Sequence, residues 1–331
     1  MKNKIHIVAV NIKTGGGLVL LNELLSEAKK NSSVNCVVYV DNGYEIKIMS
    51  SKIKYIRFKG FISKIKLFSR KFDSSLYFGN IPPLFSAGKK SLLYFQNTFY
   101  LQPNIDLVAK FQFKFLLQKI YIKYFISNVD TVFVQSEFIA QKVHKYFKIK
   151  SKPVPFFKNN QVSDFDKQKL EFDFCYISLP SAAKNFKNLF KALKILDEMK
   201  VNLSIALTIP RSNKDLINRI IEFKESNITI ENLEEVNHRK ALDCIYKSNS
   251  LIFPSLLETV GLPLIEACQL NKVVLASNLP YVHQVIIPSM TFNPRNPNEI
   301  ANCMIKALSQ NLKKGKIKIK NNVSEIFRYY S

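Results

Sequence analysis

The 331-residue sequence predicts an α/β protein built from two doubly wound, Rossmann-like domains. Three observations carry that expectation. Short β-branched or aromatic runs alternate with helical patterns along the chain, the order that parallel sheets with right-handed crossovers require. The alternation breaks once, at KIKSKPVPFFKNNQVSDFDKQK (148–169), where two prolines and a polar run without period mark a linker. The halves on either side hold about 150 residues each, enough for separate cores. The expected division is an N-terminal domain at 1–155, a C-terminal domain at 156–310 and a tail at 311–331 that returns to the N-terminal domain.

In the first half, strands are expected at 5–10, 36–40, 54–58, 75–78, 91–96 and 131–134, with helices at 18–29 and 137–147. The run GGG (15–17) follows the first strand; Gly15, Gly16 and Gly17 allow backbone angles closed to other residues and let a ligand approach closely. A plain tight turn fits the same residues. In the second half, strands are expected at 172–177, 203–208, 228–231, 250–253 and 273–276, with helices at 185–199, 239–247 and 263–270. Ligands of such sheets bind at the carboxyl ends of the strands, so a cleft between the two domains is the expected site.

Composition narrows the class. Apolar residues make up 47% and charged residues 22%, a globular balance. The 49 Lys and Arg against 25 Asp and Glu leave a net charge of +24, which favours polyanionic surroundings. No zinc-finger, RNP-like or helix-turn-helix signature accompanies it, and the lysines are spread along the chain, so nucleic acid is not the expected partner. The five cysteines, odd in number and without C-x-x-C spacing, read as buried reduced thiols. The N-terminal apolar run is broken by Asn11 and Lys13 and reads as a buried first strand, not a signal peptide. No apolar run approaches the ~20 residues of a spanning helix. A cytoplasmic place is expected, with peripheral attachment to a membrane left open.

Two basic, aromatic stretches bear on that attachment. In 57–72, Phe61, Ile65, Phe68 and Phe72 form one helical stripe with Lys59, Lys66 and Arg70 opposite. The stripe suits a helix lying in anionic headgroups, and equally a surface helix turned to its own core. The stretch 109–126 is apolar all round and reads as a buried helix.

Two acids stand out in FPSLLETVGLPLIEACQLNKVVLAS (253–277). Pro254 ends a buried strand, Glu258 lies in the loop leaving its carboxyl end, and Pro263 suits the first turn of the helix that carries Glu266. The N–H groups around Gly261, Leu262 and Leu264, with the positive helix end, form a place for phosphate, and a carboxylate on each edge can take hydroxyls. A plainer account gives Glu266 a favourable place in the helix field and leaves Glu258 a solvated loop acid.

FPSLLETVGLPLIEA resembles the signature of glycosyltransferase family 4, retaining enzymes of the GT-B fold. Phe253, Pro254, Ser255, Glu258, Gly261, Leu262, Pro263, Glu266 and Ala267 match it; Thr259 and Val260 stand where the family usually has Gly and Phe. CYISLPSAAKNFKNLFKAL (175–193) is similar to the family's strand, loop and Lys-Asn-opened helix, and GGGLVLLNELL and VQSEFI to segments of its first half. The resemblance implies that Glu266 holds the ribose of a nucleotide-sugar and Glu258 the donor sugar. It implies that the amides of Val260, Gly261 and Leu262 support sugar and phosphate, with Gly16 and Gly17 on the donor as well. Lys184 would neutralise the diphosphate without a metal or other cofactor. The usual arginine about five residues earlier is replaced by Ser178 and Leu179, and Lys187 or a base of the first domain is expected to compensate. Gln96 and Asn97 occupy the strand end where many members carry a histidine, and are expected on the acceptor side. His283 stands near a usual glutamate and reads as a surface residue. The stretch YFGNIPPLF (77–85) is similar to members that assemble O-antigen or capsule. The implied reaction is hexose transfer to an undecaprenyl-diphosphate-linked glycan at the anionic inner-membrane surface. A basic membrane- or nucleic-acid-binding α/β module with a degenerate nucleotide site is the competing expectation.

Overall fold

Runs rich in Val, Ile, Leu and aromatic residues fold into two parallel sheets, whose central strands are buried on both faces. The computed structural model describes residues 3–13, 15–86, 88–101, 109–165 and 169–331, with 109–114 and 164 described by their backbone alone. The chain divides into two units, residues 1–158 with 320–331, and residues 159–319.

The first unit begins with β1 (Asn3–Val8), α1 (Gly15–Lys30), β2 (Val34–Asp41) and β3 (Ile53–Phe58). It continues with α2 (Phe61–Phe68), β4 (Ser74–Phe78), β5 (Lys90–Phe95) and α3 (Ala109–Phe125). It then runs through β6 (Thr131–Val134), α4 (Glu137–Phe147) and β7 (Lys152–Pro153). The sheet order is β3-β2-β1-β4-β5-β6-β7, all parallel, with its reversal between β1 and β4. Leu67 and Phe68 of α2, Ile122 of α3 and Ile139, Val143 and Phe147 of α4 share one core cluster, so these three helices cover the same face of the sheet.

The second unit runs β8 (Phe172–Tyr176), α5 (Phe186–Glu198), β9 (Leu203–Leu207), α6 (Lys214–Ile221) and β10 (Ile228–Asn232). Next come α7 (His238–Lys247), β11 (Ser248–Phe253), α8 (Leu262–Gln269), β12 (Val273–Ser277) and α9 (Pro280–Val285). It closes with β13 (Ile286–Ile287), β14 (Met290–Phe292), α10 (Pro297–Ser309) and β15 (Lys316–Ile317). Its main sheet is parallel in the order β10-β9-β8-β11-β12-β14, reversing between β8 and β11, and β13 pairs with β15 antiparallel.

The chain then returns to the first unit as α11 (Val323–Arg328). Ile326 and Phe327 are buried, Tyr330 Oη donates to the Ser75 carbonyl (2.6 Å), and Asn3 Nδ2 donates to the Tyr330 carbonyl (2.8 Å). All five cysteines are free and buried.

Three expectations need correction. Much of the expected linker is built into the first unit: β7 pairs with β6, Tyr94 Oη donates to the Val154 carbonyl (2.9 Å), and Phe156 is fully buried. Its prolines misled because β7 is the sheet's edge strand, where a missing N–H costs little; residues 166–168 lie outside the described ones. The expected all-round burial of 109–126 fails as well. Ile122 is buried, yet Leu116 is 53% exposed, Leu117 51%, Ile120 43% and Tyr124 73%. A helix laid on one face of a sheet buries one stripe, whatever residues occupy the other side. The stripe expected over 61–72 is split: α2 ends at Phe68, which is core, and Phe72 beyond it is partly buried, while Phe61 and Ile65 face outward, as does Ile62 beside them.

His6 offers a test of the first core. Its Nδ1 is 2.8 Å from Tyr39 Oη, and its ring stacks on Phe72 with centroids 4.3 Å apart. Burial, helped by the charge of Lys4 and opposed by Asp73, holds the imidazole below its ordinary 6.5. The folded state thus binds the proton less readily than the unfolded one. The contribution is fully present above pH 6.5 and is lost as pH falls below it. Urea midpoints at pH 7.5 and 5.5 are expected to converge in His6→Gln relative to the parent; equal losses in both proteins would remove His6 from the account.

Candidate functional site

The reversal between β8 and β11 places two loops side by side at the carboxyl ends of the second unit's strands, where open α/β sheets bind ligands. After β8 a short 3-10 turn (Ala182–Lys184) leads to Asn185, which takes the left-handed conformation (φ 57°). Its buried side chain donates to the carbonyls of Pro254 (3.0 Å) and Pro294 (2.7 Å), tying the start of α5 to both neighbouring loops. The Leu256 N–H donates to the Ala183 carbonyl (2.7 Å). Beneath, Tyr176 Oη donates to the Lys184 carbonyl (2.7 Å) and lies 3.0 Å from Ser255 Oγ, while Tyr281 Oη donates to the Ser255 carbonyl (2.8 Å). Burial, with the nearby charge of Glu258 adding to it, pushes both phenols well above their ordinary range, so they serve as neutral props.

This scaffold fixes Lys184 Nζ 2.5 Å from Glu258 Oε1. Both side chains are mostly shielded, so the pair is held at the switch point and not loosely solvated. The solvated-loop account of Glu258 therefore does not describe it.

Gly261 caps α8 with φ 69° and ψ 69°. A Cβ there would lie 3.1 Å from Leu264 Cδ1 and 3.3 Å from the Phe253 ring, so glycine is needed for both angle and room. Among the described residues, the N–H groups of Val260, Gly261 and Leu262 have no protein acceptor. Pro263 in the first turn has no N–H, and Leu264 donates to the Gly261 carbonyl (2.9 Å). The three amides therefore act as donors at a positive helix end, an arrangement that receives an anion. Leu264, included among the sequence-predicted donors, is spent on the turn.

Glu266 sits one turn further along α8 and is buried. An ionised carboxylate only accepts, so His238 Nε2 donates to Glu266 Oε1 across 2.7 Å. Oε1 is thereby oriented, and Oε2 remains for a ligand hydroxyl. Sequence reasoning gave His238 no role. Its signal was Asn237, whose side chain accepts from the Lys240 N–H (3.0 Å) and sets His238 as the first residue of α7, at the carboxyl edge of the sheet.

Other predicted residues fall elsewhere. Lys187 is exposed on the first turn of α5. His283 is exposed on α9, within 2.8 Å of Asn278 Oδ1. In the first unit, Gly15 alone of the three glycines is left-handed (φ 67°), and Gly16 and Gly17 are helical in the first turn of α1. A Cβ on Gly17 would meet Ile12 at 3.3 Å and Gln96 Oε1 at 3.7 Å, so the glycine turn and Gln96 are neighbours. The Gln96 N–H donates to Asn80 Oδ1 (2.6 Å), and among the described residues its buried Nε2 has no partner. Asn97 Oδ1 accepts from the Phe99 N–H (2.9 Å), which shapes its turn. Among the described residues no three His, Cys, Asp or Glu side chains converge as a metal set.

Two parallel, doubly wound sheets, the second carrying an anion-receiving helix tip at its switch point, define a GT-B glycosyltransferase fold. Residues 158–324, just over half of the chain, match the family Glycosyl transferases group 1, and the chain belongs to that family. Similar solved structures include the sucrose-phosphate synthase of Thermosynechococcus elongatus, with TM-score 0.69 and 14% identity over 93% of this chain and 90% of that one. An E. coli trehalose-6-phosphate structure bound with UDP-2-fluoro glucose gives TM-score 0.66 and 10% identity over 99% and 94%. Anabaena HepE in complex with UDP and glucose gives 0.63 and 11% over 93% and 90%. No curated protein sequence matches the chain.

Proposed function

We propose that this glycosyltransferase moves a hexose from a nucleotide-sugar to a lipid-linked oligosaccharide, with retention and without a metal or other cofactor, in surface polysaccharide assembly of the O-antigen or capsule kind. The observation that carries the donor reading is the row of three unpaired amides at 260–262, flanked by the Lys184–Glu258 pair and the His238-held Glu266. Complexes of similar structures with UDP and with UDP-2-fluoro glucose support the donor class.

In this reading the helix tip and Lys184 meet the diphosphate, Glu258 the hexose hydroxyls and Glu266 the ribose. An acceptor oxygen forms its bond to the anomeric carbon on the face the leaving group departs from. The anomeric carbon–oxygen bond to phosphate breaks, and the departing phosphate oxygen takes the acceptor's proton. Negative charge grows on the diphosphate as that bond breaks, and fixed amides and a held ammonium stabilise it without reorganising. Gly16 and Gly17 are assigned to the donor and Gln96 and Asn97 to the acceptor. The undecaprenyl-diphosphate class of acceptor, and with it the cytoplasmic face of the inner membrane, follows from the resemblance of 77–85 to polysaccharide-assembly enzymes.

A melting scan with UDP, GDP and dTDP tests the donor. The matching nucleotide at ~100 times its dissociation constant is expected to add ~2.7 kcal/mol of stability. No shift with any of the three would favour a basic binding module with a degenerate site. Transfer to a soluble sugar phosphate in place of a lipid-linked glycan would retain the donor and replace the acceptor.

A further inference from the structure

The outward apolar residues of the two units are distributed differently. In the second unit they are scattered singly, as at Met199, Ile221 and Leu308. In the first unit, seven of them lie on two helices: Phe61, Ile62 and Ile65 on α2, and Leu116, Leu117, Ile120 and Tyr124 on α3. Both helices are anchored by their other sides, through Leu67, Phe68 and Ile122, in one core cluster, so the seven belong to one layer over one face of the sheet. Concentration of this kind marks an interaction surface.

Charge selects the occupant. Between residues 46 and 129 the sequence holds fifteen Lys and Arg against two acids, Asp73 and Asp106. Lys59, Lys66, Arg70 and Lys71 around α2, and Lys123 on α3, are exposed. A second copy of the same face would bring like charges together, which costs several kcal/mol. A nucleic acid would use the cations and leave the leucines and isoleucines in water. An anionic bilayer uses both, with aliphatic tips among the acyl chains and ammonium groups at the phosphates. We infer that the α2–α3 layer of the first unit docks the protein on an anionic membrane surface. Among the described residues no helix is long and apolar enough to cross a membrane, so this is attachment in the plane of the headgroups. The inference deepens the reading of a membrane-borne acceptor, yet its test contains neither nucleotide nor acceptor, so the two fail separately.

The full chain is sedimented with phosphatidylcholine vesicles and with vesicles in which about a third of the lipid is phosphatidylglycerol. Binding is expected to the second and to fall with added salt. The triple variant Leu116→Ser, Leu117→Ser, Ile120→Ser is expected to bind at least about tenfold more weakly, as is Phe61→Ser, Ile62→Ser. Each of Lys66→Gln, Lys71→Gln and Lys123→Gln is expected to lose about fivefold. The positions are exposed, so melting temperatures should stay at parental values, which keeps the variants interpretable. Absence of sedimentation with the anionic vesicles, or sedimentation of both serine variants equal to that of the parent, would overturn the inference. So would a dimer in analytical ultracentrifugation that the serine variants dissociate.

Discussion

Glu258→Ala is expected to lower hexose transfer by about a hundredfold to a thousandfold while the protein still binds nucleotide. The magnitude is that of removing one fixed polar group from a site where charge shifts in the transition state. The geometry explains why the loss should fall on turnover. Glu258 touches Lys184, and both are held by a frame that does not include either headgroup: Asn185 bridges Pro254 and Pro294, and Tyr176 and Tyr281 brace Lys184 and Ser255 through their carbonyls. Deleting the carboxylate therefore leaves the loops standing, frees Lys184 from its set position and, in the proposed role, removes the clasp on the hexose hydroxyls. Initial rates with labelled donor, beside a melting scan of the same sample, separate this from unfolding. Turnover within tenfold of the parent, with nucleotide binding intact, would dismiss the proposed role.

Glu266→Ala is expected to act on binding instead. A hydrogen bond to a charged group contributes about 1.5–3 kcal/mol, so nucleotide affinity should fall roughly tenfold to a hundredfold. The donor KM should rise by a similar factor and kcat change less. His238→Ala removes the group that fixes one carboxylate oxygen, so its effect should have the same sign and be smaller. The discriminating ligand is a 2′,3′-dideoxynucleoside diphosphate. The parent should prefer the ribose form in calorimetric titration, and Glu266→Ala should lose most of that preference. A preference unchanged in the variant would place the ribose elsewhere.

The strand pattern was largely legible, because eleven β-branched or aromatic runs bounded by turn residues each fold as a parallel strand; the run at 131–134 and β6 coincide. Three of the remaining strands, β7, β13 and β15, are only two residues long, and β14 has three. Such elements owe their form to a neighbouring strand and leave no period in the sequence. The orientation of α3 was illegible for a related reason. With apolar residues all round, periodicity gives no preferred side, and only the position of the helix over the sheet decides that Ile122 is buried and Leu117 is not.

At the site, the chain-local features could be read: the glycine that opens α8, the proline after it, and the acids before and after them. What required the fold was every partnership across the sequence. The Lys184–Glu258 pair spans 74 positions and the His238–Glu266 pair 28, and nothing in either segment names its opposite. Resemblance assigned expected roles to Lys184 and Glu258 separately but did not imply their contact, and it gave no hint of His238.

The return of residues 320–331 to the first unit makes that unit discontinuous in the gene. Tyr330 reaches the Ser75 carbonyl and Asn322 donates to the Pro155 carbonyl, so the closing twelve residues are structural parts of a fold whose other 158 come first. A fragment ending at residue 158 would leave the cavity for Tyr330 and Phe327 open, with apolar walls in water. Anyone grafting this half onto a different second unit must therefore carry both stretches, with the foreign sequence inserted between them, not appended.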